Sequence, residues 1–320
     1  MQQREVMSQL IEQDHIAQQD IETAMFVSQV YPPAPNWYGF LSKLLLCFGA
    51  LAIACGVIFF VAANWQDMSR LIKFVLLQLL VVAPIIIYLR SKTHTLLSQI
   101  SLTSAFILLG ALMAYFGQTY QTGADPWQLF FNWALLGLPW VIISRFSPLW
   151  MMFLALLNLS LVLYHDALGT LLPFGINRDE SLFWCLLSLN YLSLIMWELC
   201  RVNYAWLNQS WAGRLLAIAT IFCANALALM AIFSYNTSWL GGAVWVFLMV
   251  MTYVVYRKIR PDLFMLALGC LSGVVIVVGW SANILKHIDD GNMFILLFLL
   301  TIGLTSAAAV WLKKLMKEFQ

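Results

Sequence analysis

The chain of 320 residues is 62% apolar and 10% charged, against about 25% charged residues in an ordinary soluble domain, and its mean hydropathy is +0.83. Such a balance excludes a water-soluble globule. The net charge of +2, with lysines and arginines scattered instead of gathered on one face, excludes nucleic acid as a partner.

Residues 1–40 form a polar tail that carries Glu5, Glu12, Asp14, Asp20 and Glu22 against a single Arg4. Val6, Leu10 and Ile11, then Ile21, Ala24, Met25 and Val30, recur at near-helical spacing and predict two short amphipathic helices. Asp14 and Asp20 suit helix starts, and Pro32, Pro33 and Pro35 end the segment. An acidic polar face favours docking on protein, the chain's own basic loops first, over lying on lipid, which would call for lysine and arginine.

Residues 41–320 form one domain whose solvent is a bilayer. About 30 Å of hydrocarbon at 1.5 Å per residue needs about 20 apolar residues. Ten stretches qualify, at 44–64, 73–89, 97–116, 127–144, 148–164, 182–199, 215–235, 239–256, 263–281 and 293–312. The fold class is therefore all-α, a polytopic membrane protein of about ten helices, with the first span serving as its own insertion signal. With the N-terminus placed in the cytoplasm, lysines and arginines divide 13 to 4 between the two sides. Cytoplasmic loops carry the excess, so both termini are expected there. Segments 117–126, 165–181 and 282–292 then face the opposite side. Trp37, Trp65, Trp127, Trp150, Trp211, Trp239, Trp280 and Trp311 fall near span ends, where indole rings anchor among headgroups. Gly49, Gly56, Gly269, Gly273 and Gly303 predict close helix packing.

Catalytic chemistry is not expected. The six cysteines lie in or at the ends of spans without a CxxC pair, so neither a disulfide framework nor a metal site is indicated. The four histidines fall in the tail or in loops, and no HExxH helix or in-membrane base accompanies Ser272-Gly273. His165 and Asp166 with His287, Asp289 and Asp290 read as solvated loop charges. Glu198 is the single acid near a span interior; three residues before Arg201, it predicts an interfacial ion pair. No five-plus-five inverted repeat of the transporter kind is found. No cofactor is implied.

The spans do carry amides, Gln78, Asn132, Asn158, Asn190 and Asn225, which fit either interhelical hydrogen bonds or the lining of a polar cavity. Two outward loops are the most patterned segments. One runs from Ala62 through Asn64, Trp65 and Gln66 to Asp67; the other runs from Gly117, Gln118, Thr119 and Tyr120 to Gly123, Asp125, Pro126 and Trp127, then on to Asn132, Trp133 and Pro139. Hydrogen-bonding groups there stand beside flat apolar rings, as recognition of a polar ligand or a partner peptide requires. A capped turn at the membrane surface accounts for the same residues. The expected binding surface is Asn64, Trp65, Gln118, Tyr120, Asp125 and Asn132.

The acidic tail, the first span closing in Ala63-Asn64-Trp65, and the run from Gly117-Gln118 and Tyr120 through Asp125, Trp133 and Pro139 resemble the bacterial membrane proteins of the domain-of-unknown-function 2157 family. The resemblance covers about residues 5–145. It implies a bacterial inner-membrane location, with periplasm outside, and carries over no activity or catalytic residues. Two readings of function follow. One is a permease-like protein with a periplasm-facing polar surface for a small polar or amphiphilic solute. The other is a non-catalytic subunit or scaffold of a cell-envelope complex with a membrane or periplasmic protein partner.

Overall fold

The structure, a computed structural model, describes residues 10–11, 13, 16–17, 20–27, 34–63, 68–120, 123, 125–169, 178–234, 239–285 and 290–319. Those residues are helical almost throughout. In chain order the helices are α1 (Ile21–Val27), α2 (Ala34–Ala63), α3 (Arg70–Arg90), α4 (Leu96–Tyr120), α5 (Pro126–Ser144), α6 (Ser147–Leu168), α7 (Arg178–Cys200), α8 (Ser210–Phe233), α9 (Leu240–Val254), α10 (Leu263–Leu285) and α11 (Asp290–Phe319). A 3-10 turn, Ala205–Leu207, precedes α8, and a π-helical turn, Val255–Ile259, extends α9.

Among the described residues nine helices, from α3 to α11, are long and apolar enough to cross a membrane. The ninth counted back from the C-terminus is α3. The first expected span is met by α2, a 30-residue helix with a shorter apolar stretch, Trp37–Ile53. The bilayer reading of the composition therefore holds. Of the two expected tail helices, α1 covers the second; the first lies mostly outside the described residues.

The chain divides into two units, residues 1–108 and 109–320, with α4 running through the division. In the first unit, α3 begins at Ser69, whose hydroxyl accepts a hydrogen bond from the Ile72 N–H at 3.4 Å, an N-terminal cap that satisfies a donor the helix leaves open. At its other end the Ser91 hydroxyl donates to the Ile87 carbonyl at 2.6 Å. Leu77, Val81 and Pro84, spaced four and three apart, form the buried face of α3.

In the second unit α8 is the central helix, packed against α7, α9 and α10, while α5 packs on α6 and α11 on α10. Small residues make this possible: Gly213, Ala217, Ala224 and Ala228 are all buried in α8 and let neighbouring backbones approach. Among the described glycines, the closest approach to another helix's backbone is at Gly241. A Cβ there would lie 2.7 Å from the Leu227 carbonyl oxygen, so any larger residue would push α9 off α8. The glycines singled out from the sequence play no such part: among the described residues, a Cβ on Gly49, Gly56, Gly273 or Gly303 would meet no atom within 4 Å, and on Gly269 only an ordinary contact at 3.7 Å. A GxxxG spacing permits close packing but does not say which face of the helix meets a neighbour.

Buried and half-buried amides tie the helices together. Asn158 of α6 and Asn190 of α7 exchange bonds, Asn190 Nδ2 donating to Asn158 Oδ1 at 2.6 Å and Asn158 Nδ2 to Asn190 Oδ1 at 3.3 Å. Each also donates to the carbonyl four residues earlier. Asn225 Oδ1 accepts from Trp245 Nε1 at 3.0 Å and from the Ser272 hydroxyl at 2.5 Å, joining α8, α9 and α10. These three amides make interhelical hydrogen bonds. Gln78 and Asn132 lie exposed on their helices.

Candidate functional site

Helix α7 ends in a charged cluster that the sequence shows only in part. Glu198 pairs with Arg201 at 3.0 Å, as the three-residue spacing predicts, but it also receives Arg260 from beyond the π turn, Nη1 to Oε2 at 2.6 Å. The same Arg260 nitrogen donates to the Glu198 carbonyl at 2.9 Å. Two guanidiniums thus meet one carboxylate whose side chain is 14% exposed. A Cβ on Gly213 would lie 3.3 Å from Glu198 Oε1, so α8 leaves room for the carboxylate by carrying no side chain there. Nearby, Arg214 grips Asp262 through three bonds of 3.2 to 3.3 Å and lies 5.0 Å from the centre of the Phe264 ring.

The π turn sets the geometry of this end. The Arg260 N–H reaches back five residues to the Val255 carbonyl at 2.8 Å, widening the last turn of the span. Such insertions re-aim side chains and recur at functional sites. Here Tyr256 is turned inward, 6% exposed, and Arg260 is carried across to α7.

Beside the cluster lies a cleft of about 400 Å³ between α7, α8, the end of α9 and the π turn. Leu194, Ile195, Ile221, Leu248, Met251 and Met265 make most of its wall, and Glu198, Arg260, Tyr256 and Thr252 supply its polar groups. An apolar slot with ionic and phenolic groups at one end matches an amphiphile, a molecule with one apolar and one polar end.

The surface expected from the sequence is placed as follows. Asn64 and Trp65 lie outside the described residues. Gln118 and Tyr120 are exposed on the last turn of α4, with Tyr120 packed against Phe116 at 4.7 Å between ring centres. Asp125 precedes α5 as an exposed N-cap whose side chain makes no capping bond, followed by Pro126 at the first helical position. Asn132 is exposed on α5. The four described members therefore share exposure, and none lines the cleft at α7.

The histidine and acid cluster differs from expectation. His165 is buried, with Nε2 at 2.8 Å from the Arg178 carbonyl, and Arg178 Nη2 donates to the carbonyls of His165 and Asp166, each at 3.2 Å. These bonds fasten the end of α6 to the start of α7, so His165 is a structural contact and not a solvated loop charge. His287 and Asp289 lie outside the described residues. The six cysteines are free.

Tyr256, Arg260 and the whole cleft were missed from the sequence. Glu198 and Arg260 are 62 residues apart, and one chain read alone gives no sign of that pairing. The one available signal was Arg260-Pro261, a break in an apolar run directly after three basic residues in four.

These features define the class of the molecule: a polytopic helical membrane protein with an amphiphilic cleft at one end of its second unit. Residues 10–150 match the family model described as predicted membrane protein, the domain-of-unknown-function 2157 family, in close agreement with the stretch that carries the resemblance. The α7–α9 cleft lies outside the matched segment. No curated protein and no solved structure matches the chain.

Proposed function

We propose that this chain is a bacterial inner-membrane protein that binds a small amphiphilic molecule without covalent change, in the manner of a permease. The cleft beside Glu198 and Arg260 supports this reading. It is large enough for an alkyl chain of several carbons, and its ionic groups are held by one another, so they can present a polar end without an unpaired charge in hydrocarbon. A ligand headgroup can take bonds from Arg260 while Arg201 keeps the carboxylate neutralised. Met251→Trp fills the slot from its rim, since Met251 lines it and is 39% exposed. In purified protein the variant should retain a fluorescent lysophosphatidylcholine about tenfold less well, with an unchanged melting temperature; tenfold corresponds to about 1.4 kcal/mol of lost binding. Equal retention by both proteins would refute the cleft as the binding site.

A second reading, a non-catalytic subunit of an envelope complex, draws support from the exposure of Gln118, Tyr120, Asp125 and Asn132. Exposed amide, phenol and carboxylate groups beside aromatic rings suit a protein partner in the periplasm. Gln118→Ala and Tyr120→Phe should then abolish cellular function at normal abundance. Loss of abundance in step with function would instead make these residues helix-end supports.

A further inference from the structure

Helix α7 has a second cavity on its opposite face. Tyr191, Leu194, Ile195 and Glu198 face the cleft described above, whereas Ser193, Met196, Trp197 and Cys200 line a separate space, also of about 400 Å³. At 100° per residue the two sets point to opposite sides of the helix. Arg145 stands at the edge of the second cavity, and Trp150, Leu154 and Trp206 complete its wall.

Three observations there are independent of one another. First, the indole nitrogens of Trp150 and Trp197 are buried without a hydrogen-bond partner among the described residues. Trp197 as a whole is 6% exposed. A buried donor left unmade is costly, and two of them stand beside this one cavity. Second, Arg145 is exposed at the cavity's rim and makes no side-chain bond among the described residues. Arg201, Arg257, Arg260 and Arg214 each pair with a carboxylate, and Arg178 donates to two carbonyls. Among the described residues of 109–320, Arg145 is the arginine left without such a bond. Third, Arg145 is held at φ 46, ψ 44, in the left-handed region. Glycine adopts that conformation at no steric cost; an arginine there keeps backbone strain, and strain of this kind is a sign of function when the side chain it positions has a task.

We propose that this cavity binds an anionic lipid, with a phosphate or carboxylate headgroup on Arg145 and an alkyl chain along Trp150, Leu154 and Met196. Arginine matches an anionic headgroup in charge and in fork geometry. The rest of the wall is mostly apolar. The site is distinct from the α7–α9 cleft, because the residues that line the two lie on opposite faces of α7.

The test is retention of phosphatidylglycerol by the purified full-length chain, read by native mass spectrometry, with phosphatidylcholine and inorganic phosphate as competitors. One phosphatidylglycerol should remain bound, and phosphatidylcholine should not displace it. Arg145→Gly should lower retention about tenfold, the change expected for loss of a hydrogen bond to a charged group, while the melting temperature stays the same or rises, because glycine relieves the strain. Arg145→Lys should fall between the parent and Arg145→Gly, since it keeps the charge and loses the fork. Unchanged retention in Arg145→Gly, or equal retention of phosphatidylcholine, would overturn the proposal. Displacement by excess inorganic phosphate would show a free-anion site and overturn the lipid assignment.

Discussion

Glu198 carries the most legible single-residue argument in the chain and also shows where that argument ends. Its ion pair with Arg201 follows from spacing on one helix, since residues three apart are neighbours. Its stronger partner, Arg260 at 2.6 Å, comes from another helix and depends on the π turn. With 14% of the side chain exposed, the carboxylate is the shared anchor of two guanidiniums that are themselves 25% and 33% exposed. Glu198→Gln keeps the shape and one acceptor oxygen but removes the charge. The loss should be about 1–3 kcal/mol, below the cost of breaking a fully buried pair because water still reaches both arginines. It should be visible as a lower melting temperature in mild detergent. Gly213→Ala, which brings a Cβ to 3.3 Å from Oε1, should lower it less. A Glu198→Gln protein as stable as the parent would mean that the cluster contributes nothing to the fold.

At the scale of elements, hydropathy fixes existence and approximate ends because the bilayer imposes one length on every span. The stretch expected at 73–89 is helix α3 over Arg70–Arg90, and that at 182–199 is α7 over Arg178–Cys200. Observed helices run longer, since polar ends such as Asp179 and Glu180 continue the helix beyond the apolar core. Lateral packing was not legible. Glycine spacing pointed to Gly269 and Gly273, whereas the close contact is made at Gly241 against the Leu227 carbonyl. The amide row split in the same way. Asn158 and Asn190 pair because α6 and α7 happen to present them at one depth, 32 residues apart in the chain, and nothing in either local sequence distinguishes them from exposed Asn132. Apolar patterning in a membrane helix carries little facing information, since lipid and protein interior are equally apolar. For that reason α7, a helix with cavities on two faces, reads in the sequence like any other span.

For the molecule as a whole, the distribution of basic residues predicts sidedness. Within residues 109–320 the contacts that join Ser147 to Trp206, Arg260 to Glu198 and Arg214 to Asp262 gather the turns after α5, α7 and the π turn at one end. That end carries Arg145, Arg201, Arg214, Arg257, Lys258 and Arg260, and the opposite end carries Arg178 beside Asp166, Asp179 and Glu180. Basic loops are retained in the cytoplasm during insertion, so the basic end, and with it the mouth of the α7–α9 cleft and Arg145, is expected to face the cytoplasm. Single cysteines placed in a cysteine-free background test this. Ala124→Cys is preferable to a change at Gly123, whose φ of +63 suits glycine. In intact spheroplasts a membrane-impermeant maleimide should label Cys at 124 and leave Lys258→Cys unlabelled until the membrane is opened. Labelling of both positions from the same side would break the alternation of spans between them and, with it, the assignment of the basic end to the cytoplasm.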